Sequence, residues 1–233
     1  MSNQFSKLGI AAPLLKSLTD LEISVPTEIQ EKAIPVLLTK TDDFVGLAKT
    51  GTGKTAAFGL PLLQLIDTEN KNIQAVILVP TRELGHQIFS NMEAFAKYLP
   101  EVSIAATCGG IPIKPQIERL SKPTHIVIAT PGRLIDLIKR NVINIKEAKY
   151  LVLDEADEMV TALKESLEEI ITELPKSRRT LLFSATMPGT IKQLIQNYMS
   201  KHVTQVSASM EVVGNNSIDH QYVVVDPIEK LDV

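Results

Sequence analysis

The sequence predicts an α/β fold with a mostly parallel central sheet and helices on both of its faces. Three observations carry this reading. Short, near-continuously apolar runs recur along the chain, segments of helical period lie between them, and glycine-rich and acidic motifs fall where the apolar runs end. Strands covered on both faces lose the polar alternation of a solvated sheet. Strand alternating with helix then gives right-handed crossovers and parallel pairing. Ligands of such sheets gather beyond the carboxyl ends of the strands.

Taken in order, residues 12–20 and 27–39 read as two short helices joined by Ser24-Val25-Pro26. Residues 43–48, 74–79, 102–107, 125–129, 149–153 and 180–184 read as buried strands. The helical segments that follow them are 54–66, 82–97, 113–120, 132–139, 163–173 and 189–199. Thr81, Pro112, Pro131 and Pro188 suit cap or first-turn positions. Residues 207–218 are turn-rich, and 220–225 (HQYVVV) reads as one further strand. The chain thus divides into a helical region at 1–40, an α/β domain at 41–206, and a linker with the start of another domain at 207–233.

Composition narrows the class. With 233 residues, 44% hydrophobic and 22% charged, the chain can bury a real core, and collagen, disulfide scaffolds and wholesale disorder are excluded. One cysteine, Cys108, excludes an internal disulfide and any multi-cysteine metal site. The opening MSNQFSKLGI does not read as a signal peptide, and no run approaches the ~18 apolar residues of a membrane span. A soluble, cytoplasmic, monomeric protein is expected. The 24 basic and 27 acidic side chains give a net charge of −3, so any nucleic-acid site must be local and built partly of backbone amides.

The most specific motif is at 48–55, Ala-Lys-Thr-Gly-Thr-Gly-Lys-Thr, between a strand and a helix. It is the P-loop pattern with Ala48 at the usual first glycine. Gly51 and Gly53 permit the tight loop, and the amides from Lys49 through Thr50, Thr52 and Thr55 turn toward phosphate. Lys54 is placed to neutralise the β- and γ-phosphates, and the Thr55 hydroxyl to ligate Mg²⁺. Strand 149–153 ends in Asp154-Glu155-Ala156-Asp157. An acid after an apolar strand suits Mg²⁺, which assigns Asp154 to the metal and Glu155 to the attacking water.

Asp154–Asp157 spells DEAD, and the chain resembles the first RecA-like domain of DEAD-box RNA helicases over approximately 5–225. Residues 22–30 resemble the Q motif, 80–87 (PTRELGHQ) motif Ia, Gly109-Gly110 the GG doublet, 130–133 (TPGR) motif Ib, and Ser184-Ala185-Thr186 motif III. The resemblance implies ATP with Mg²⁺, Gln30 on the adenine edge and Phe5 stacked on the base. It also implies catalytic roles for Lys54, Asp154, Glu155, Asp157, Ser184 and Thr186. A second RecA-like domain, carrying the arginine finger, is implied in cis. The chain departs from the family at Glu22 and Ile23, usually glycine and an aromatic, at Gly85, usually alanine, and in a stretch after the DEAD residues that is one residue shorter.

The RNA side also follows from the residues themselves. Pro80-Thr81-Arg82, Gly109-Gly110 and Thr130-Pro131-Gly132-Arg133 each follow an apolar run and adjoin a helix. Hydroxyls, glycine amides, helix starts and arginines suit a sugar–phosphate backbone and supply no base code. With 4% aromatic residues a stacking platform is not evident, so recognition is expected to be sequence-independent, with RNA chosen over DNA through 2′-OH contacts. The alternative is a stand-alone nucleotide- or RNA-binding regulatory module without turnover. Cys108 reads as a packed hydrophobe, the four histidines lack metal-ligand spacing, and the acids within 165–173 read as a solvated helix face.

Overall fold

The computed structural model describes residues 3–208. A 3₁₀ turn (Gln4–Leu8) leads into α1 (Ala12–Asp20) and α2 (Glu28–Thr39). Then follow β1 (Asp43–Leu47), α3 (Lys54–Leu65), β2 (Ala75–Leu78), α4 (Arg82–Phe95), β3 (Ile104–Thr107), α5 (Lys114–Leu120), β4 (Ile126–Ala129) and α6 (Pro131–Lys139). The last described elements are β5 (Tyr150–Leu153), α7 (Ala156–Ala162), α8 (Lys164–Glu173), β6 (Arg179–Ser184), α9 (Gly189–Tyr198) and β7 (Val203–Ser207). Among the described residues the strands form one sheet in the order β3-β4-β2-β5-β6-β1-β7, with every pair parallel.

The apolar strand runs divide between two cores by their period of two. Phe44, Ala75, Ile77, Ile126, Ile128, Val152, Leu181 and Phe183 face one core, together with buried residues of α1 to α4. Val45, Val76, Leu78, Val127, Leu151, Leu153 and Leu182 face the other, with α6 to α9. Three rings, Phe44, Phe58 and Phe183, pack tilted with centroids 5.3–5.5 Å apart at the heart of the first core. The N-terminal helical region belongs to that core: Phe5, Leu14, Leu18, Ile29 and Ile34 are buried in it. That burial holds the segment around Gln30 against the loop after β1.

Besides the 3₁₀ turn at Gln4–Leu8, β7 and α7 have no counterpart in the sequence reading. β7 pairs with β1 as an edge strand, half exposed, and its sequence VTQVS is too polar to stand out. α7 is a short helix directly after Glu155. Pro112 does not open α5; that helix starts at Lys114 and carries Pro115 in its first turn. The expected strand at 220–225 and most of the turn-rich segment lie outside the described residues. Among the described residues, no helix is long and apolar enough to cross a membrane.

Candidate functional site

All strands point their carboxyl ends at one edge of the sheet, and the expected site residues divide along it. On one half β5, β6 and β1 are neighbours, ending in the acidic cluster, in Ser184 and in the phosphate loop. On the other half β3, β4 and β2 are neighbours, ending in Gly109-Gly110, Thr130–Arg133 and Pro80–Arg82.

In the phosphate loop Gly51 and Gly53 hold φ of +82° and +89°, the left-handed region that favours glycine. Gly53 caps α3, so Lys54 and Thr55 are its first two residues. Lys54 is 6% exposed, and its Nζ makes no hydrogen bond among the described residues. Its counter-charge is Asp154 Oδ1 at 3.6 Å. Burial pushes the Asp154 carboxyl up to about 6, against the pull of the Lys54 ammonium. A buried ammonium lacking acceptors is costly, and phosphate oxygens over the loop amides would satisfy it. A cavity of about 400 Å³ opens there, lined by Gln30, Gly51, Gly53, Lys54, Thr55, Asp154 and Glu155 among others. These residues fit a nucleotide and its Mg²⁺, which takes one or two protein oxygens together with phosphate and water.

Glu155 is one of the described non-glycine residues with positive φ, at 52°. Its Oε1 accepts a hydrogen bond from Thr50 Oγ1 at 3.2 Å, which ties the acid to the phosphate loop. Such a conformation costs about 1–2 kcal/mol, and it falls on the acid assigned to the attacking water. Asp157 Oδ2 accepts from Thr186 N at 3.1 Å and from Thr186 Oγ1 at 2.6 Å, while Ser184 Oγ donates to Thr186 O at 2.7 Å. Desolvation works to raise the Asp157 carboxyl, but hydrogen bonds from Thr186 and Ser184 outweigh it and leave it below the usual range. Asp157, Ser184 and Thr186 therefore form one network across the ends of β5 and β6.

Gln30 is 4% exposed. Its Oε1 accepts from Thr27 N at 2.9 Å, and its Nε2 donates to the Gly53 carbonyl at 3.0 Å. Thr27 Oγ1 donates to the Thr52 carbonyl at 2.8 Å, a bond between the two motifs that the sequence reading did not assign. The segment before α2 is thus bonded to the phosphate loop, and one N–H and one lone pair of the Gln30 amide remain for a ligand. Phe5 corrects the sequence reading. Its ring is fully buried in the core beneath the helical region, with no open face for stacking on a base. An aromatic ring gains more from full burial than from a solvated edge. Leu21 and Ile23 line the cavity instead. Between them Glu22 holds φ of +58°, which explains why glycine suits that position.

The half of the edge expected to hold RNA is more open. Pro80, Arg82, Gly109, Gly110, Pro131 and Arg133 are among the residues lining a shallow groove of about 590 Å³. Thr81 caps α4, its Oγ1 accepting from Leu84 N at 3.3 Å, and Thr130 stands at the cap of α6 with Pro131 first in the helix. Arg82 forms an ion pair with Glu83 at 2.9 Å and donates to the Gly110 carbonyl at 3.3 Å. Arg133 donates through Nη2 to the Ile111 carbonyl at 2.9 Å; its Nη1 is buried and lacks a partner among the described residues. Both arginines are held by carbonyls of the loop after β3.

The parallel sheet, the glycine loop before α3 and the acid at the end of β5 define a RecA-like domain of the P-loop class. The chain belongs to the DEAD/DEAH box helicase family, whose model matches residues 27–194. It is 43% identical over 231 residues to the ATP-dependent RNA helicase CshA of Limosilactobacillus reuteri, covering 99% of this chain and 46% of that protein. It is 41% identical over 219 residues to the ATP-dependent RNA helicase DeaD of Escherichia coli, covering 94% of this chain and 34% of that one. Among solved structures it is similar to a DEAD box protein of Methanococcus jannaschii, with a TM-score of 0.81 and 38% identity over 98% of this chain and 61% of that one. It is also similar to the yeast DEAD-box splicing factor Prp28, at a TM-score of 0.79 and 31% identity over 86% and 50%. The chain spans less than half the length of these two curated relatives.

Proposed function

We propose that this chain is the nucleotide- and RNA-binding half of a cytoplasmic ATP-dependent RNA helicase that locally unwinds RNA duplexes or remodels ribonucleoproteins. The observation that carries the proposal is the buried Lys54 Nζ, without a hydrogen bond among the described residues, between the left-handed glycines and Asp154. Lys49–Thr55 wrap the phosphates of ATP, and Gln30 faces the base. Thr55 and Asp154 hold Mg²⁺, which when bound supplies positive charge toward the phosphoryl oxygens. Glu155 orients and deprotonates water, and the Asp157–Thr186 network ties the acidic cluster to the loop after β6. Pro80–Arg82, Gly109-Gly110 and Thr130–Arg133 grip a sugar–phosphate backbone without reading its bases, and 2′-OH contacts favour RNA.

A second RecA-like domain in cis completes this mechanism by supplying an arginine to the transferring phosphoryl group; the partial coverage of the relatives supports it. In this proposal residues 1–40 and 41–206 form the monomeric working unit, and 207–233 lead on to the second domain. Without that arginine, turnover is expected to fall on the order of 10³–10⁵-fold. Phosphate release from ATP by the 233-residue chain, with and without single-stranded RNA, tests this. Near-zero release with intact nucleotide binding is expected; robust RNA-stimulated release by this chain alone would refute the need for a second domain.

A further inference from the structure

Four consecutive residues after β3 each have a backbone group held by a side chain from α4, α5 or the start of α6. Gln116 Nε2 donates to the Cys108 carbonyl at 3.0 Å, and the Gly109 N–H donates to Thr130 Oγ1 at 3.0 Å. Arg82 donates to the Gly110 carbonyl at 3.3 Å and Arg133 to the Ile111 carbonyl at 2.9 Å. Three of these partners belong to the proposed RNA segments. The fourth, Gln116, sits on α5, is 5% exposed and has no place in that machinery. The geometry points to Gln116 as a positioning residue for RNA binding: from beneath the surface it fixes the Cys108 carbonyl, and with it the aim of the Gly109-Gly110 amides.

The way the glutamine is paired supports this role. Its Oε1 is buried and has no hydrogen-bond partner among the described residues. A half-paired buried amide carries a desolvation cost that an apolar side chain of similar length avoids. What the amide contributes is one donor, directed at a loop carbonyl. That loop leaves the sheet at Thr107 and turns through Gly110 at φ +78°, so ladder bonds do not fix it. The Cys108 side chain is a second anchor. A Cβ on Gly85 of α4 would come within 2.5 Å of Cys108 Sγ, so glycine there makes room for the thiol.

The inference rests on the proposed RNA contact of this loop, and its test separates the two. The 233-residue chain, labelled selectively at glycine, is titrated with single-stranded oligouridylate while its amide spectrum is followed, in the parent and in Gln116→Met. In the parent, the Gly109 and Gly110 signals are expected to shift with RNA. In Gln116→Met their exchange with solvent should accelerate and the RNA dissociation constant rise on the order of tenfold. The Gly51 and Gly53 signals and ATP affinity should stay unchanged, which a general loss of structure would not allow. Unaltered Gly109 and Gly110 signals with equal RNA affinity in Gln116→Met would overturn the role of Gln116. Parent signals that ignore RNA would overturn the RNA reading itself, and this inference with it. Should Gln116→Met fail to fold, Gln116→Leu, which likewise lacks a donor, makes the same comparison.

Discussion

The two halves of the strand edge are built in opposite ways. On the nucleotide half the charges are buried: Lys54 is 6% and Asp154 2% exposed, and Gln30 is tied to the loop it serves. On the half proposed to hold RNA, Arg82 and Arg133 lie at the rim of an open groove and rest on carbonyls of their own chain. The difference fits the ligands proposed for the two halves. A triphosphate is compact enough to be enclosed, and enclosure in a low dielectric strengthens each charged contact. A polymer must pass through, so its site stays open and many weak backbone contacts replace a few strong ones. One sheet supports both because parallel strands deliver all their following loops to one edge.

The sharpest break in this comparison is Lys54→Ala. Losing the buried ammonium should weaken nucleotide binding by at least about a hundredfold, with RNA affinity kept; titration with a fluorescent ATP analogue measures the first. Next in size is Gly53→Ala. Its Cβ would lie 2.3 Å from Gln30 Nε2 at a φ of +89°, so folding stability should drop by about 2 kcal/mol and nucleotide affinity should fall with it. Denaturant melts and the same titration check both effects.

A smaller change has the opposite sign. Glu22→Gly relieves the left-handed strain at φ +58° and should raise stability by about 1 kcal/mol, or about 2–4 °C in Tm, as read by calorimetry. Glu22 itself does not line the cavity, although its neighbours Leu21 and Ile23 do, so a large loss of nucleotide affinity would contradict the placement of Glu22.

The smallest effect concerns pH at the far end of β4. His125 is buried and its Nδ1 accepts from Ser103 N at 3.0 Å. Burial, aided by Lys71, holds its imidazole below the ordinary value of 6.5. The unfolded chain therefore takes up the proton first. The contribution of neutral His125 is present above about pH 6.5 and is lost as pH falls through the lowered folded value. Melting curves between pH 7 and pH 5 should fall less steeply for His125→Gln than for the parent; parallel curves would refute this.

The sequence displays the strands well because burial on both faces makes them plainly apolar. It displays the phosphate loop well because left-handed turns demand glycine at Gly51 and Gly53. Edge strand β7 escapes detection: with one flank unpaired among the described residues, VTQVS remains half polar. α7 escapes as well, since it starts one residue after the strained Glu155 and runs only seven residues. Phe5 misleads because a lone aromatic looks alike in a core and in a binding site. Thr27 and Gln116 act through carbonyls 25 and 8 residues away, and partners of that kind are set by the fold rather than by any local pattern. The departure at Glu22 and Ile23 is the one signal that, pursued, points to the cavity wall.

The most direct test of the divided edge is to measure both ligands on one variant. Lys54→Ala, titrated separately with a fluorescent ATP analogue and with labelled single-stranded RNA, should lose the nucleotide and bind RNA as the parent does. Retained nucleotide binding, or loss of both ligands by a folded protein, would contradict the division of the edge into two independent sites.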